Sequence, residues 1–191
     1  MSPITPLSVV SAHEQVDSIK MSKPTKGDLA KAAVKFEEDS TKGFLGGKFT
    51  IDKKPFVLQF NTVLSTDGIN SFDGNKYGTG TEYSIGVPAE EEENFLFESL
   101  LSKMIEFAEA NGLGAWDSNA VVKNDQIFFK IKFKDGKSKA KTTPALRLNN
   151  VEKQKFSTDD KVVIIAEPKP YFSFDGATMG IYFDVKEIKF V

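Results

Sequence analysis

The chain has 191 residues, 40% hydrophobic and 27% charged, with a formal net charge of −2; that is the balance of one globular domain long enough to bury a core. It has no Cys and one His, His13 near the terminus; the first excludes disulfides and thiolate metal sites and favours an intracellular setting, and the second argues against a histidine-based metal site or triad. No apolar run reaches the roughly 20 residues needed to span a bilayer, and MSPITPLSVVSAHEQ lacks the basic start and continuous apolar stretch of a signal peptide.

The small net charge conceals a division. Residues 1–119 hold 11 basic and 18 acidic side chains, whereas residues 120–191 hold 14 and 9. Seven lysines fall within Lys123–Lys141 alone. Asymmetry of this kind bears on partners more than the total does. Seventeen Phe are more aromatics than a small core needs, which leaves some for stacking.

Residues 1–26 carry scattered Pro, Ser, Thr and Lys and read as an extended arm. Asp28 reads as the N-cap of a short helix with a stripe of Leu29, Ala32/Ala33 and Phe36. Lys42-Gly43 and Gly46-Gly47 read as breaks. Lys54–Ser65 alternates Phe56, Leu58 and Phe60 against Val57, Gln59 and Asn61, a strand. Thr66–Gly80 is a Gly, Asn and Asp-rich loop carrying Phe72, Lys76 and Tyr77, and Thr81–Val87 is the next strand.

Pro88 suits the first turn of a helix, and Glu90–Glu93 place four acids at its positive end. Phe97, Leu100/Leu101, Met104 and Ala108 follow at helical spacing, and Asn111-Gly112 stops the helix. Trp116 is expected between helix and sheet. In QIFFKIKFKDGKSKAK, Ile127, Phe129, Ile131 and Phe133 alternate with Phe128, Lys130, Lys132 and Lys134. Asp135-Gly136 makes the tight turn, Lys137, Lys139 and Lys141 continue the basic run, and the return passes through Leu146–Leu148. Thr158–Ala166 is an apolar strand, EPKPYFSFDG a loop, and Thr178–Val191 a last strand whose phase switches near Lys186-Glu187, the mark of a bulge.

This order predicts a mainly β, OB-fold-like antiparallel barrel of five to six strands with one long inserted helix. Residues 1–50 form the arm and short helix; residues 51–191 form the barrel domain.

Catalysis has little to stand on. Gly78 and Gly80 make a lone GxG, which is no phosphate loop. Glu90–Glu93 point in different directions around a helix and do not converge on a metal. Asp159-Asp160 belong to a turn. The chain reads as a non-enzyme without cofactor or metal.

Binding has more. A strand face of lysines beside Phe128 is on its own an ordinary solvent face that discourages edge pairing. Joined to Tyr171, Phe172 and Phe174, it supplies what single-stranded nucleic acid requires: cations along the backbone and rings under the bases. The candidate contacts are Phe128, Lys130, Lys132, Lys134, Lys139, Lys141, Tyr171, Phe172 and Phe174, with Lys76 and Tyr77 in the loop. RNA would serve as well as DNA, since only a 2′-OH contact separates them. A β-barrel interaction protein meeting an acidic partner is a further alternative, and a metal-dependent nuclease a remote one.

From about residue 55 onward the order of segments resembles the single-stranded DNA-binding proteins of the bacteriophage T7 type. TEYSIGVPAEEEENFLFESLLSKMIEFAEAN is similar to that family's strand, proline and long helix. WDSNAVVKNDQIFFKIKFKDGKSKAK resembles its Lys- and Phe-rich hairpin, and DDKVVIIAEPKPYFSFDGATMGIYFDVKEIKFV its last two strands. The resemblance implies an OB-fold coating single-stranded DNA during viral replication, recombination and repair in the cytoplasm of a bacterial host. It also implies contacts with replication proteins such as polymerase or helicase, no membrane, and room for an oligomer. It places a stacking aromatic at Tyr171, with the partner position changed to Ser173 between Phe172 and Phe174. The acidic tail common in that family would follow Lys189-Phe190-Val191, and it is either absent or trimmed here.

Overall fold

The computed structural model describes residues 19–21, 24–37, 43–73, 81–174 and 176–191. The protein is mainly β with one long helix. In chain order the elements are β1 (Ile19–Met21), α1 (Lys26–Lys31), β2 (Ala32–Glu37), β3 (Phe44–Ile51), β4 (Lys54–Val63), β5 (Asn70–Asp73), β6 (Thr81–Pro88) and α2 (Glu91–Ala110). Then follow β7 (Asp117–Ser118), β8 (Gln126–Ile131), β9 (Phe133–Lys134), β10 (Lys137–Ser138), β11 (Lys141–Thr143), β12 (Lys161–Ser173) and β13 (Thr178–Phe190).

The main sheet is built around β12, whose even-numbered residues from Val162 to Phe172 are buried while the odd-numbered ones are not, apart from a more exposed start at Lys161. One edge of β12 pairs along its length with β13. The other edge is shared: residues 161–166 pair with β4, and residues 171–173 with β3. Pro168 and Pro170 fall in the gap between these two partners, where a missing N–H removes no ladder bond. That is why a segment with two prolines, expected to be a loop, instead continues as strand. The bulge expected near Lys186-Glu187 is present: Ile165 faces Glu187 and Ala166 faces Val185, which leaves Lys186 as the extra residue.

A second, three-stranded sheet runs β5-β6-β8. Phe60 of β4, Phe129 of β8 and Phe183 of β13 meet between the sheets, with ring centroids 5.1 Å (Phe60–Phe129) and 4.8 Å (Phe129–Phe183) apart. Phe97 of α2 closes on Phe183 at 5.5 Å. Helix α2 buries Leu96, Phe97, Leu100, Met104 and Ala108, the face that the 3.6-residue period sets aside for the core. Its first turn is closed by Glu93, which accepts the Glu90 backbone N–H at 3.0 Å.

Four further expectations are corrected. The barrel is not closed among the described residues: the strand path runs open from β1 to β11, and thirteen strands replace the expected five to six. The first helix stops at Lys31, is capped by Thr25 with Asp28 at its third position, and gives way to β2; pairing of Val34 and Phe36 with β3 overrides a modest helical preference. Gly46-Gly47 do not break the chain. Strand β3 passes through them, and a Cβ on Gly47 would sit 2.3 Å from the Lys35 carbonyl oxygen of β2. Pro88 ends β6 rather than opening α2.

Candidate nucleic-acid interface

The hairpin turn is as expected. Asp135 and Gly136 both have positive φ, 52° and 75°, the two-residue geometry that matches strand twist. Lys134 and Lys137 stand directly opposite one another. Like charges on one rung repel unless an anion lies between them. The Leu146–Leu148 segment lies along this hairpin: Leu148 N–H donates to the Gly136 carbonyl at 3.0 Å, and Arg147 bridges Lys137. Arg147, the chain's one arginine, thereby joins the basic end of the molecule.

The lysines divide by partner. Lys130 meets the Glu82 carboxylate at 3.0 Å, and Lys141 meets Glu187 at 3.9 Å. Lys132, between β8 and β9, reaches over the Tyr182 ring with its ammonium 5.8 Å from the centroid, a cation–π distance. Lys134 and Lys139 are exposed. Phe128 is exposed and lies against Gly86, where a Cβ would approach its ring to 3.0 Å.

The three aromatics of PYFSFDG separate, because successive strand residues face opposite ways. Tyr171 lies on the face turned away from the core. Phe172 points inward and is fully buried, with its ring 4.9 Å from Phe36 and 5.0 Å from Trp116. It is a core residue and is not available to stack on a base, which corrects the expectation. Phe174 is 52% exposed but meets Trp116 edge-on at 5.4 Å, on the Phe172 side. Lys76 and Tyr77 lie outside the described residues.

Around Tyr171 the structure assembles rings that sequence reasoning missed. Phe44 of β3 lies nearly parallel to Tyr171, with centroids 5.7 Å apart and 17° between planes. Tyr182 of β13 lies 6.2 Å from Tyr171 and is 37% exposed. Two glycines let these rings lie close to the sheet. A Cβ on Gly46 would come within 3.0 Å of the Phe44 ring, and one on Gly180, the cross-strand partner of Tyr171, within 2.8 Å of the Tyr171 hydroxyl. The Asn119 amide donates to that hydroxyl at 2.7 Å and holds the ring in place. Strand β3 continues on the same face to Lys48, which stands opposite Lys35 of β2.

The result is a row: Lys132, Tyr182, Tyr171 and Phe44, with Lys48 and Lys35 beyond. Lys169 stands opposite Tyr182, and Glu167 opposite Asp184, on the next rung. Burial raises the Tyr182 pKa, and the charges of Asp184 and Glu167 raise it further, so Tyr182 remains a neutral stacking surface at physiological pH. The alternation of Tyr182 and Asp184 against Ile181 and Phe183 was visible in the sequence. The role of Phe44 was hidden by the glycines that make room for it.

A cavity of about 530 Å³ lies elsewhere, between β4 and the start of α2. Glu90, Glu91, Glu92 and Glu93 line it, and four carboxylates would repel a phosphate backbone. Among the described residues no group of three or more His, Cys, Asp or Glu is placed to hold a metal ion, and no helix is long and apolar enough to cross a membrane.

No protein-family model and no curated protein matches the chain. Among solved structures it is similar to gp2.5, a single-stranded DNA-binding protein encoded by bacteriophage T7. The two share 16% identity over 70% of this chain and 91% of that one, with a TM-score of 0.42. A likeness of that size carries no argument about function, which has to come from the row itself.

Proposed function

We propose that this protein binds single-stranded DNA, without catalysis and largely without regard to sequence, through the row Lys132–Tyr182–Tyr171–Phe44 on an OB-like sheet. The observation that carries this reading is the meeting of the basic hairpin with the rings: Lys132 lies over Tyr182, and Tyr182 adjoins Tyr171. Cations follow the phosphates while bases lie on rings, each stack contributing about 1–3 kcal/mol. A duplex hides its base faces and gains only the electrostatic part. Coating exposed strands in replication, recombination and repair is the role such a surface suits.

Fluorescence anisotropy with labelled single-stranded, duplex and RNA oligomers at two salt concentrations tests this. The expected result is tight, salt-dependent binding of single strands, weak binding of duplex, and a loss of affinity of roughly 5-fold or more for Tyr182→Ala. Equal affinity for single strand and duplex, or an unaffected Tyr182→Ala variant, would contradict it.

A further inference from the structure

We infer that Glu167 and Asp184 read the edge of the base held at Tyr182, so that bases carrying an exocyclic amine, cytosine above all, bind more tightly than thymine. The inference rests on the row being a single-stranded DNA site. It goes further by giving that site a base preference and naming the residues that set it.

The placement comes from the register. On the face shared by β12 and β13, Lys169 stands opposite Tyr182 and Glu167 opposite Asp184, so the carboxylate rung follows the Tyr182 rung at about 7 Å along the strands. A base lying on Tyr182 with its edge directed along β13 away from Tyr171 therefore has that edge over these two acids. Carboxylates are unusual in a site meant for a polyanion, and here they come with lysines. Lys186 donates to Asp184 at 2.6 Å and stands 3.8 Å from Glu167, and Lys169 stands 3.9 Å from the other Glu167 oxygen. The two longer contacts are ion pairs beyond hydrogen-bond reach. Glu167, its side chain only 12% exposed, is thus held in place with acceptor capacity left over, and the flanking ammonium groups offset its repulsion of phosphate.

An acceptor with capacity left over selects for a donor. Cytosine presents its N4 amine, and adenine its N6 amine, to a carboxylate, whereas thymine presents carbonyl oxygens at the corresponding positions. A carboxylate facing thymine O4 is an unfavourable contact. The same carboxylate facing cytosine N4 makes a charge-assisted hydrogen bond.

The test compares oligo-dC with oligo-dT of equal length on the parent protein and on Glu167→Gln, which keeps the shape and gains a donor that thymine can use. Comparing the dC:dT affinity ratio between proteins removes the intrinsic difference between the two oligomers. The ratio should fall by about 10- to 100-fold in Glu167→Gln, the worth of one charge-assisted hydrogen bond after solvent exchange. Asp184→Asn should lower it in the same direction and serves if the first variant fails to fold. An unchanged ratio in a variant that folds and binds overturns the base-reading role while leaving the binding site standing. Failure of the parent to bind either oligomer overturns both.

Discussion

Gly180→Ala puts the ring row to its sharpest structural test. A Cβ at this position would lie 2.8 Å from the Tyr171 hydroxyl oxygen and 3.0 Å from two ring carbons. Comfortable contact between such atoms is about 3.5–4.0 Å, so the ring has to move by roughly 0.5–1 Å, off the sheet and away from Asn119. The backbone itself is no obstacle, since Gly180 lies in a regular strand, and Ala there should leave stability unchanged or raise it by about 0.5–1 kcal/mol. Stability and binding therefore move in opposite directions. If each ring–base stack contributes about 1–3 kcal/mol, partial displacement of Tyr171 should weaken single-strand binding by about 5- to 10-fold. The assay is an anisotropy titration at fixed salt, beside thermal unfolding of the same preparation. The double variant Gly180→Ala, Tyr171→Ala supplies the control: with the ring gone, the added methyl should cost nothing further, a non-additivity expected only of groups in contact. Parent-like affinity in a Gly180→Ala protein of equal or higher melting temperature would refute the reasoning.

Other consequences follow from where the side chains sit. Phe172→Ala should destabilise the protein by about 3–5 kcal/mol, the cost of a large cavity in an aromatic cluster, seen as a lower denaturant midpoint, with the remaining folded protein still binding. The triple variant Lys132→Ala, Lys134→Ala, Lys139→Ala should make the slope of log affinity against log salt shallower by about 2, at roughly 0.7 per phosphate contact on a single strand; Lys130→Ala should change it less, because Lys130 already faces Glu82. Asp67 accepts the backbone N–H and hydroxyl of Thr158 at 2.7 and 2.9 Å, and these bonds hold its carboxyl below the usual aspartate range. A depressed folded-state pKa contributes stability above the unfolded value, near 4, and loses it as pH falls through the lower folded value. The melting temperatures of parent and Asp67→Ala should therefore differ at neutral pH and converge in acid.

Where one physical signal dominated, the sequence was readable. The alternation in β4, β8 and β13 and the helical stripe of α2 led directly to elements and to buried faces, and even the bulge at Lys186 showed as a change of phase. The misreadings came where tertiary pairing overruled local preference. Val34 and Phe36 were drawn into a strand by β3, and Pro168 and Pro170 were tolerated because β12 changes partners just there. The binding face was half legible. A lysine-rich strand and Tyr171 stood out in the sequence, but Phe172 and Phe174 looked equivalent to Tyr171 until strand alternation separated them. Phe44 lies 127 residues before Tyr171 in the chain, and only the pairing of β3 with the end of β12 brings the two rings together.

The claim that single strands stack on Tyr182 and Tyr171 is tested most directly by tyrosine emission in a Trp116→Phe protein, where the indole on the Phe172 side no longer dominates the signal. Single-stranded oligonucleotide should quench that emission saturably, a duplex of the same sequence should not, and the quenching should shrink in stepwise fashion with Tyr182→Phe and Tyr171→Phe. Saturable binding of the single strand with tyrosine emission unchanged would place the nucleic acid elsewhere on the protein and contradict the account.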